Sequence, residues 1–170
     1  MRYQYDFVPT PFGDALAVFS PTGLVAFDLS TAEEEAMPWV FEDVRAALRA
    51  PLEEAPGIAD ETAALVAEYF AGAPIDFHSA LRFDWSLTHG FTTAALQAIA
   101  EIPYGETMSY GDVAVRAGRP RAARAVGTAC RLTPFSIVLP VHRVVRADGT
   151  PGEYGGFPER KRYLLDLEQR

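Results

Sequence analysis

Apolar and polar positions form three short runs in the first thirty residues, Tyr3 to Val8, Ala15 to Phe19 and Leu24 to Asp28. Pro11-Phe12-Gly13-Asp14 and Pro21-Thr22-Gly23 separate them. Apolar-rich runs cut by proline and glycine turns predict a small antiparallel meander. The spacing then becomes helical. Thr31, with Glu34 three residues on, predicts a capping-box start for a helix reaching towards Ala50, interrupted or kinked at Pro38. Pro51 and Pro56 break the chain before a second predicted helix, Asp60 to Ala71, on which Ala64, Leu65, Glu68 and Tyr69 share helical spacing and Gly72 is the stop. A polar and aromatic connector from Asp76 to Thr88 predicts a domain boundary, placed between residues 80 and 81.

Downstream, Phe91, Ala95 or Leu96, and Ile99 predict a helix ending before a turn at Pro103-Tyr104-Gly105. Ser109 and Asp112 open a further helix, Tyr110 to Ala117, closed by Gly118, and Pro120 suits the first turn of the next, Arg121 to Leu132. On that last helix Arg121, Arg124, Thr128 and Arg131 fall on one arc. Ala122, Ala125, Val126, Ala129 and Leu132 make an adjoining apolar arc, and Ala123, Gly127 and Cys130 a stripe of small residues. Two helices joined by a short glycine-containing turn, the second with an arginine edge, fit a helix-turn-helix. A helical hairpin with a solvated basic face fits the same pattern. Ile137-Val138-Leu139 predicts a short strand or extended segment, Asp148-Gly149 a hairpin-type turn, and Pro158 to Glu168 a closing helix with Tyr163, Leu164 and Leu167 inward. The expected fold is α+β: an N-terminal small antiparallel sheet with helices (residues 1–80), then a mostly helical, winged-helix-like domain carrying the helix-turn-helix (residues 81–170).

Composition narrows the function classes. In 170 residues, 49% are hydrophobic, enough for a packed core, and no run approaches a membrane span. The start, Met1-Arg2-Tyr3-Gln4-Tyr5-Asp6, lacks the pattern of a signal peptide, so a cytoplasmic, soluble protein is expected. One cysteine, Cys130, excludes an intrachain disulfide, and three histidines make a zinc site improbable, so neither metal nor cofactor is expected. A net charge of −8 argues at first against nucleic acid. The way that charge is distributed points the other way. Residues 1–100 hold four basic residues against fifteen acids, whereas residues 101–170 hold eleven against eight. Only the C-terminal part is suited to a polyanion.

Five pieces of that part, in order and spacing, resemble the O6-alkylguanine-DNA alkyltransferases: Ile102-Pro103-Tyr104-Gly105-Glu106-Thr107, Ser109-Tyr110-Gly111, Arg124-Ala125-Val126-Gly127, Pro140-Val141-His142-Arg143-Val144, and Gly152 to Gly156 followed by Lys161 and Leu164-Leu165. The resemblance covers residues 80 to 170. Residues 1 to about 75 fit only by length and by their strand-then-helix pattern. In that family the recognition helix enters the minor groove, its arginine fills the space of an extruded nucleotide, and the tyrosine of Ser-Tyr-Gly helps rotate the target phosphate. By position these roles fall on Arg124 and Tyr110, with Arg121 and Arg131 beside them. Ala123 and Gly127 would let the helix sit deep. A base buried in the stack must be flipped out before it is read, so such a set of residues has a physical purpose.

Repair in the family transfers the alkyl group to a cysteine prepared by a histidine and glutamate relay. His142 and Glu168 match the relay, but Val141 stands at the nucleophile position, and an isopropyl group has neither lone pair nor ionisable proton. The chain therefore resembles the alkyltransferase-like proteins, which keep the lesion-binding apparatus without the cysteine; their usual replacement is tryptophan or alanine. The resemblance implies a non-catalytic sensor of O6-alkylguanine in duplex DNA, a monomer that flags lesions for nucleotide excision repair. The implied lesion pocket comprises Cys130, Val141, Tyr154, Gly155 and Gly156. Thr133 and Gly155 depart from the family's asparagine and serine, which leaves the preferred lesion open. His142 and Arg143 also have a scaffold reading, holding the Pro-x-His-Arg turn by hydrogen bonds. Three alternatives remain: alkyl transfer through Cys130, an engineered replacement of cysteine by Val141, and a sequence-reading helix-turn-helix regulator.

Overall fold

The computed structural model describes residues 1–29, 37–152 and 157–170, and the packing of the chain divides it into two compact units. Residues 1–87 with 134–138 form the first, and residues 88–133 with 139–170 the second. The connector composition predicts a single cut between residues 80 and 81. The observed division lies at 87/88 and is crossed twice more, because the segment 134–138 returns to the first unit.

In the first unit the meander appears as β1 (Tyr3–Val8), β2 (Ala15–Phe19) and β3 (Leu24–Leu29), antiparallel in sequence order. A strand not foreseen, β4 (Leu52–Glu54), joins β1 in parallel, giving the order β3-β2-β1-β4. Three residues carry too little pattern to announce a strand. Leu16, Val18 and Val25 pack with Val44, Val40, Phe41 and Leu48 of α1 (Met37–Leu48), so α1 covers one face of the sheet. On β2, Ala15 and Ala17 are as fully buried as Leu16 and Val18, because the strand is covered on both faces. Pro38 lies in the first turn of α1 as described, where a missing N–H costs nothing. The predicted Thr31–Glu34 capping box falls outside the described residues.

The second helix, α2 (Asp60–Phe70), ends where expected, with Gly72 in the left-handed region at φ 99°. Its buried stripe is Thr62, Val66 and Tyr69; Ala64 and Glu68, expected to share a face with Tyr69, are exposed. Part of the connector is helical, as α3 (Phe77–Ala80), capped by the Asp76 carboxylate accepting from the backbone N–H groups of His78 and Ser79. The chain then runs back along β3: the Leu24 N–H donates to the Arg82 carbonyl at 2.8 Å, and the Asp84 N–H donates to the Leu24 carbonyl at 2.8 Å. A Cβ at Gly23 would come within 2.3 Å of the Arg82 carbonyl oxygen, so only glycine admits this approach.

The strand or extended segment predicted for Ile137 to Leu139 is not formed, residues 136–138 being a turn. Phe135 instead makes an isolated parallel bridge with Phe27, held by Phe27 N–H to the Pro134 carbonyl and Ser136 N–H to the Phe27 carbonyl. Phe135 is fully buried, edge-on to Phe83 and Trp85 at 5.0 and 5.4 Å. The chain then turns sharply, with Ile137 at φ 64°. The apolar run is thus a buried loop, which hydrophobicity alone does not separate from a strand.

The second unit contains α4 (Gly90–Ala100), β5 (Met108–Ser109), α5 (Tyr110–Arg116), α6 (Ala123–Arg131), a 3-10 turn at Val141–Arg143, β6 (Val144–Val145) and α7 (Pro158–Leu167). Ala95, Leu96 and Ile99 of α4 are fully buried, as their spacing predicts, whereas Phe91 of the same predicted stripe is only partly buried. The fold is the mixed α+β arrangement expected. On α7, Leu164 and Leu167 face inward, but Tyr163 is exposed and Lys161 is buried in its place. Lys161, Leu164, Leu167 and Glu168 at i, i+3, i+6 and i+7 form the inward stripe. No described helix is long and apolar enough to cross a membrane.

Candidate functional site

The helix-turn-helix is α5 followed by α6. The Ser109 hydroxyl accepts from the Asp112 N–H at 3.0 Å, capping α5 as its spacing predicts, and Gly118 ends it at φ 89°. α6 begins at Ala123, two residues later than predicted. Pro120 and Arg121 therefore belong to the turn, and Arg121 is exposed but outside the helical arc. Arg124, Thr128 and Arg131 are all exposed on one side. The packing side is narrower than predicted: Val126 and Ala129 are fully buried, but Ala125 and Leu132 are exposed. A nine-residue helix buried along one edge needs few apolar positions.

Tyr110, the first residue of α5, is held at the start of that helix by the parallel pairing of Met108 with Val144 and Ser109 with Val145. A Cβ at Gly127 would meet the Tyr110 ring at 3.9 Å, so Tyr110 approaches the stripe of small residues on α6. Gly152 lies against the other side: its Cβ would stand 3.1 Å from the Tyr110 hydroxyl, and its φ of 74° adds a second reason for glycine. The Lys161 ammonium lies 5.7 Å from the centre of the Tyr110 ring and donates to the Val144 carbonyl at 2.5 Å. Burial pushes the Lys161 amine down to about 8. No local signal in α7 marks Lys161 as buried except its place on the inward stripe.

Val141 is 4% exposed and opens the 3-10 turn, with its N–H donating to the Leu139 carbonyl and the Arg143 N–H donating to the Pro140 carbonyl. His142 and Arg143 are buried beside it and converge on Glu168 at the C-terminal cap of α7. His142 Nε2 and Glu168 Oε1 are 2.8 Å apart. A carboxylate only accepts, so the proton lies on Nε2 and Nδ1 keeps its lone pair. Arg143 donates from Nε to Oε2 at 2.9 Å and from Nη2 to Oε1 at 2.8 Å, and from Nη1 to the Ile102 carbonyl at 2.6 Å. Glu168 Oε2 also accepts from the Gly105 N–H at 3.4 Å, and Gln169 donates to the Gly105 carbonyl at 2.9 Å. Burial alone would raise the Glu168 carboxyl, but the hydrogen bonds from His142 and Arg143 outweigh it and bring it to about 2. Burial lowers His142 despite Glu168 beside it. The result is an ionised carboxylate, a guanidinium and a neutral imidazole.

The predicted site residues thus occupy distinct places. Arg124 and Arg131 share an exposed helix face, with Arg121 in the preceding turn; Tyr110 lies against Gly127; Ala123 is partly buried. His142 and Glu168 are joined directly, and Arg143 completes the pair. Tyr154, Gly155 and Gly156 lie outside the described residues. Cys130 is partly buried, and burial pushes its thiol up to about 12, with the Lys161 charge opposing. Such a group is a thiol at neutral pH and a poor nucleophile.

Comparison with known proteins identifies relatives of the whole chain and of its C-terminal part. The family described as 6-O-methylguanine DNA methyltransferase, DNA binding domain, matches residues 90–170. The methylated-DNA–protein-cysteine methyltransferase of Mycobacterium leprae is 46% identical over 101 residues, which are 59% of this chain and 59% of that protein. The match therefore spans less than two thirds of that relative's length. The protein of the same name from Methanosarcina barkeri is 32% identical over 165 residues, covering 97% of this chain and 96% of its own. The crystal structure of Mycobacterium tuberculosis O6-methylguanine methyltransferase superposes with a TM-score of 0.76 at 32% identity, covering 98% of this chain and 93% of that one.

Proposed function

Because this chain belongs to the methylated-DNA–protein-cysteine methyltransferase family, we propose that it binds O6-alkylguanine in duplex DNA without accepting the alkyl group. A role in flagging such lesions for nucleotide excision repair follows from that reading. Val141 carries the proposal. It occupies the position between Pro140 and His142 where the family resemblance places a cysteine, and it is buried in a turn that the His142–Glu168–Arg143 hydrogen bonds hold in place. Alkyl transfer needs a lone pair on the acceptor, which an isopropyl group lacks. The one thiol of the chain, Cys130, is held protonated by burial.

Recognition has separate support. Arg124 and Arg131 point a cationic edge of α6 to solvent, Arg121 extends it through the turn, and Tyr110 stands at the neighbouring helix start. Arginines meet the phosphates and one of them fills the stack when the base is extruded, while Gly127 keeps the helix slim on the side facing Tyr110. Val141 would present an apolar surface to an alkyl substituent, each buried methylene adding about 0.8 kcal/mol. The His142–Glu168–Arg143 cluster then holds the turn in shape rather than serving a nucleophile.

Titration of the protein with matched duplexes containing guanine or O6-methylguanine tests recognition, and intact mass after incubation with the methylated duplex tests transfer. Tighter binding to the methylated duplex with unchanged mass is expected. Equal affinity for the two duplexes overturns lesion recognition. A gain of one methyl group restores an alkyl-transferring enzyme.

A further inference from the structure

Leu132 caps α6 and is 63% exposed, more than any other large apolar side chain of the described residues except Met1. Its N–H still donates to the Thr128 carbonyl at 3.0 Å, so the helical register reaches it. Two lines of exposed residues therefore share this face. Arg124, Thr128 and Arg131 recur at i, i+4 and i+7, and Ala125, Thr128 and Leu132 at i, i+3 and i+7. The cationic edge has an apolar edge alongside it.

Phosphates account for the arginines but not for the leucine. A duplex groove supplies both surfaces at once, anionic rims and, between them, deoxyribose edges that present mostly C–H groups. The charges flanking Leu132 and the match of residues 90–170 to a DNA-binding domain favour that occupant over an apolar protein surface. On the reading that α6 faces DNA, we infer that Leu132 is a further DNA-contact residue, whose side chain packs on the sugar edges of the groove wall. Its contribution involves no counterion release, so it is independent of salt, unlike those of the arginines beside it.

Binding of the full chain to an O6-methylguanine duplex is measured across a salt series for wild type, Leu132→Ala, Leu132→Met and Arg131→Ala. Truncation of the exposed leucine is expected to weaken binding about tenfold, as loss of roughly 50–60 Å² of buried apolar surface implies. The slope of log Kd against log salt and the thermal midpoint should stay at their wild-type values, and Leu132→Met should bind nearly as wild type. Arg131→Ala should instead flatten the slope. Wild-type affinity in Leu132→Ala together with weakened binding in Arg131→Ala overturns the leucine contact and leaves α6 as the DNA face. Wild-type affinity in both variants, or no binding by the wild type, overturns the contact and that face together.

Discussion

Arg143 grips Glu168 through two hydrogen bonds, Nε to Oε2 at 2.9 Å and Nη2 to Oε1 at 2.8 Å, while His142 approaches the same Oε1 at 2.8 Å. The pair joins the turn after Val141 to the end of α7, and Arg143 Nη1 extends the link to Ile102. Removing one partner of a buried pair strands the other charge. Arg143→Ala should therefore lose about 3–5 kcal/mol of stability in urea unfolding, and Arg143→Lys should recover only part, since an ammonium cannot reproduce the fork.

The same cluster sets an acid limit. The Glu168 carboxyl is lowered from 4.5 to about 2, so its ionised form is favoured by folding. Its contribution is complete above about pH 4.5 and is lost as pH falls towards 2, a change on the order of 3 kcal/mol. Urea unfolding as a function of pH should show this slope in wild type and a flatter one over that window in Glu168→Gln.

Asp28 behaves in the opposite sense. Burial, with Asp43 adding to it, raises its carboxyl from 3.8 to about 6 despite a backbone hydrogen bond from Leu29. Its folded-state pKa is raised, so it costs nothing below about pH 3.8, and its cost grows as pH rises from there and is complete above about 6. Asp28→Asn should stabilise the protein at pH 8 by about 1–3 kcal/mol, a gain that disappears towards pH 4. Thermal unfolding at the two pH values checks it.

Cys130 should be slow to alkylate. With its thiol pushed up from 9.0 to about 12, the thiolate fraction at pH 8 is roughly a thousandfold below that of an unperturbed thiol. Iodoacetamide labelling of the folded protein should be correspondingly slow and accelerate on unfolding. Rapid labelling at pH 8 would show that the thiol is activated.

Arg124→Ala should cost about 1–3 kcal/mol of binding to a duplex containing O6-methylguanine. If Arg124 fills the stack rather than only meeting a phosphate, the loss should be larger on the lesion duplex than on the undamaged one. Equal losses on both duplexes argue for a phosphate contact alone.

The three N-terminal strands, the start and stop of α2, the Ser109 cap and the turn at Pro103-Tyr104-Gly105 were legible because each depends on local backbone chemistry: alternation, proline, glycine in left-handed conformations and a capping hydroxyl. The motif spacing likewise identified the family and singled out Val141 as the position to question. Errors concentrated where burial depends on distant partners. Ala64, Tyr163 and Leu132 have the residue types of a core, yet lie on helix faces turned to solvent. Lys161 is buried because the Val144 carbonyl receives its ammonium, and Ile137 lies in a loop, turning at φ 64° just past the bridge that Phe135 makes with Phe27.

The sequence by itself therefore determined the three N-terminal strands, the main helices, and that the motif's central position bears a side chain unable to accept an alkyl group. Only the tertiary structure decided that Arg143 shares Glu168 with His142, that Cys130 is held as a thiol, and that α6 shows solvent a leucine beside its arginines. The physical reason is range. Dihedral preferences and caps act over three or four residues, whereas desolvation and ion pairing depend on groups brought together from 25 or more positions apart.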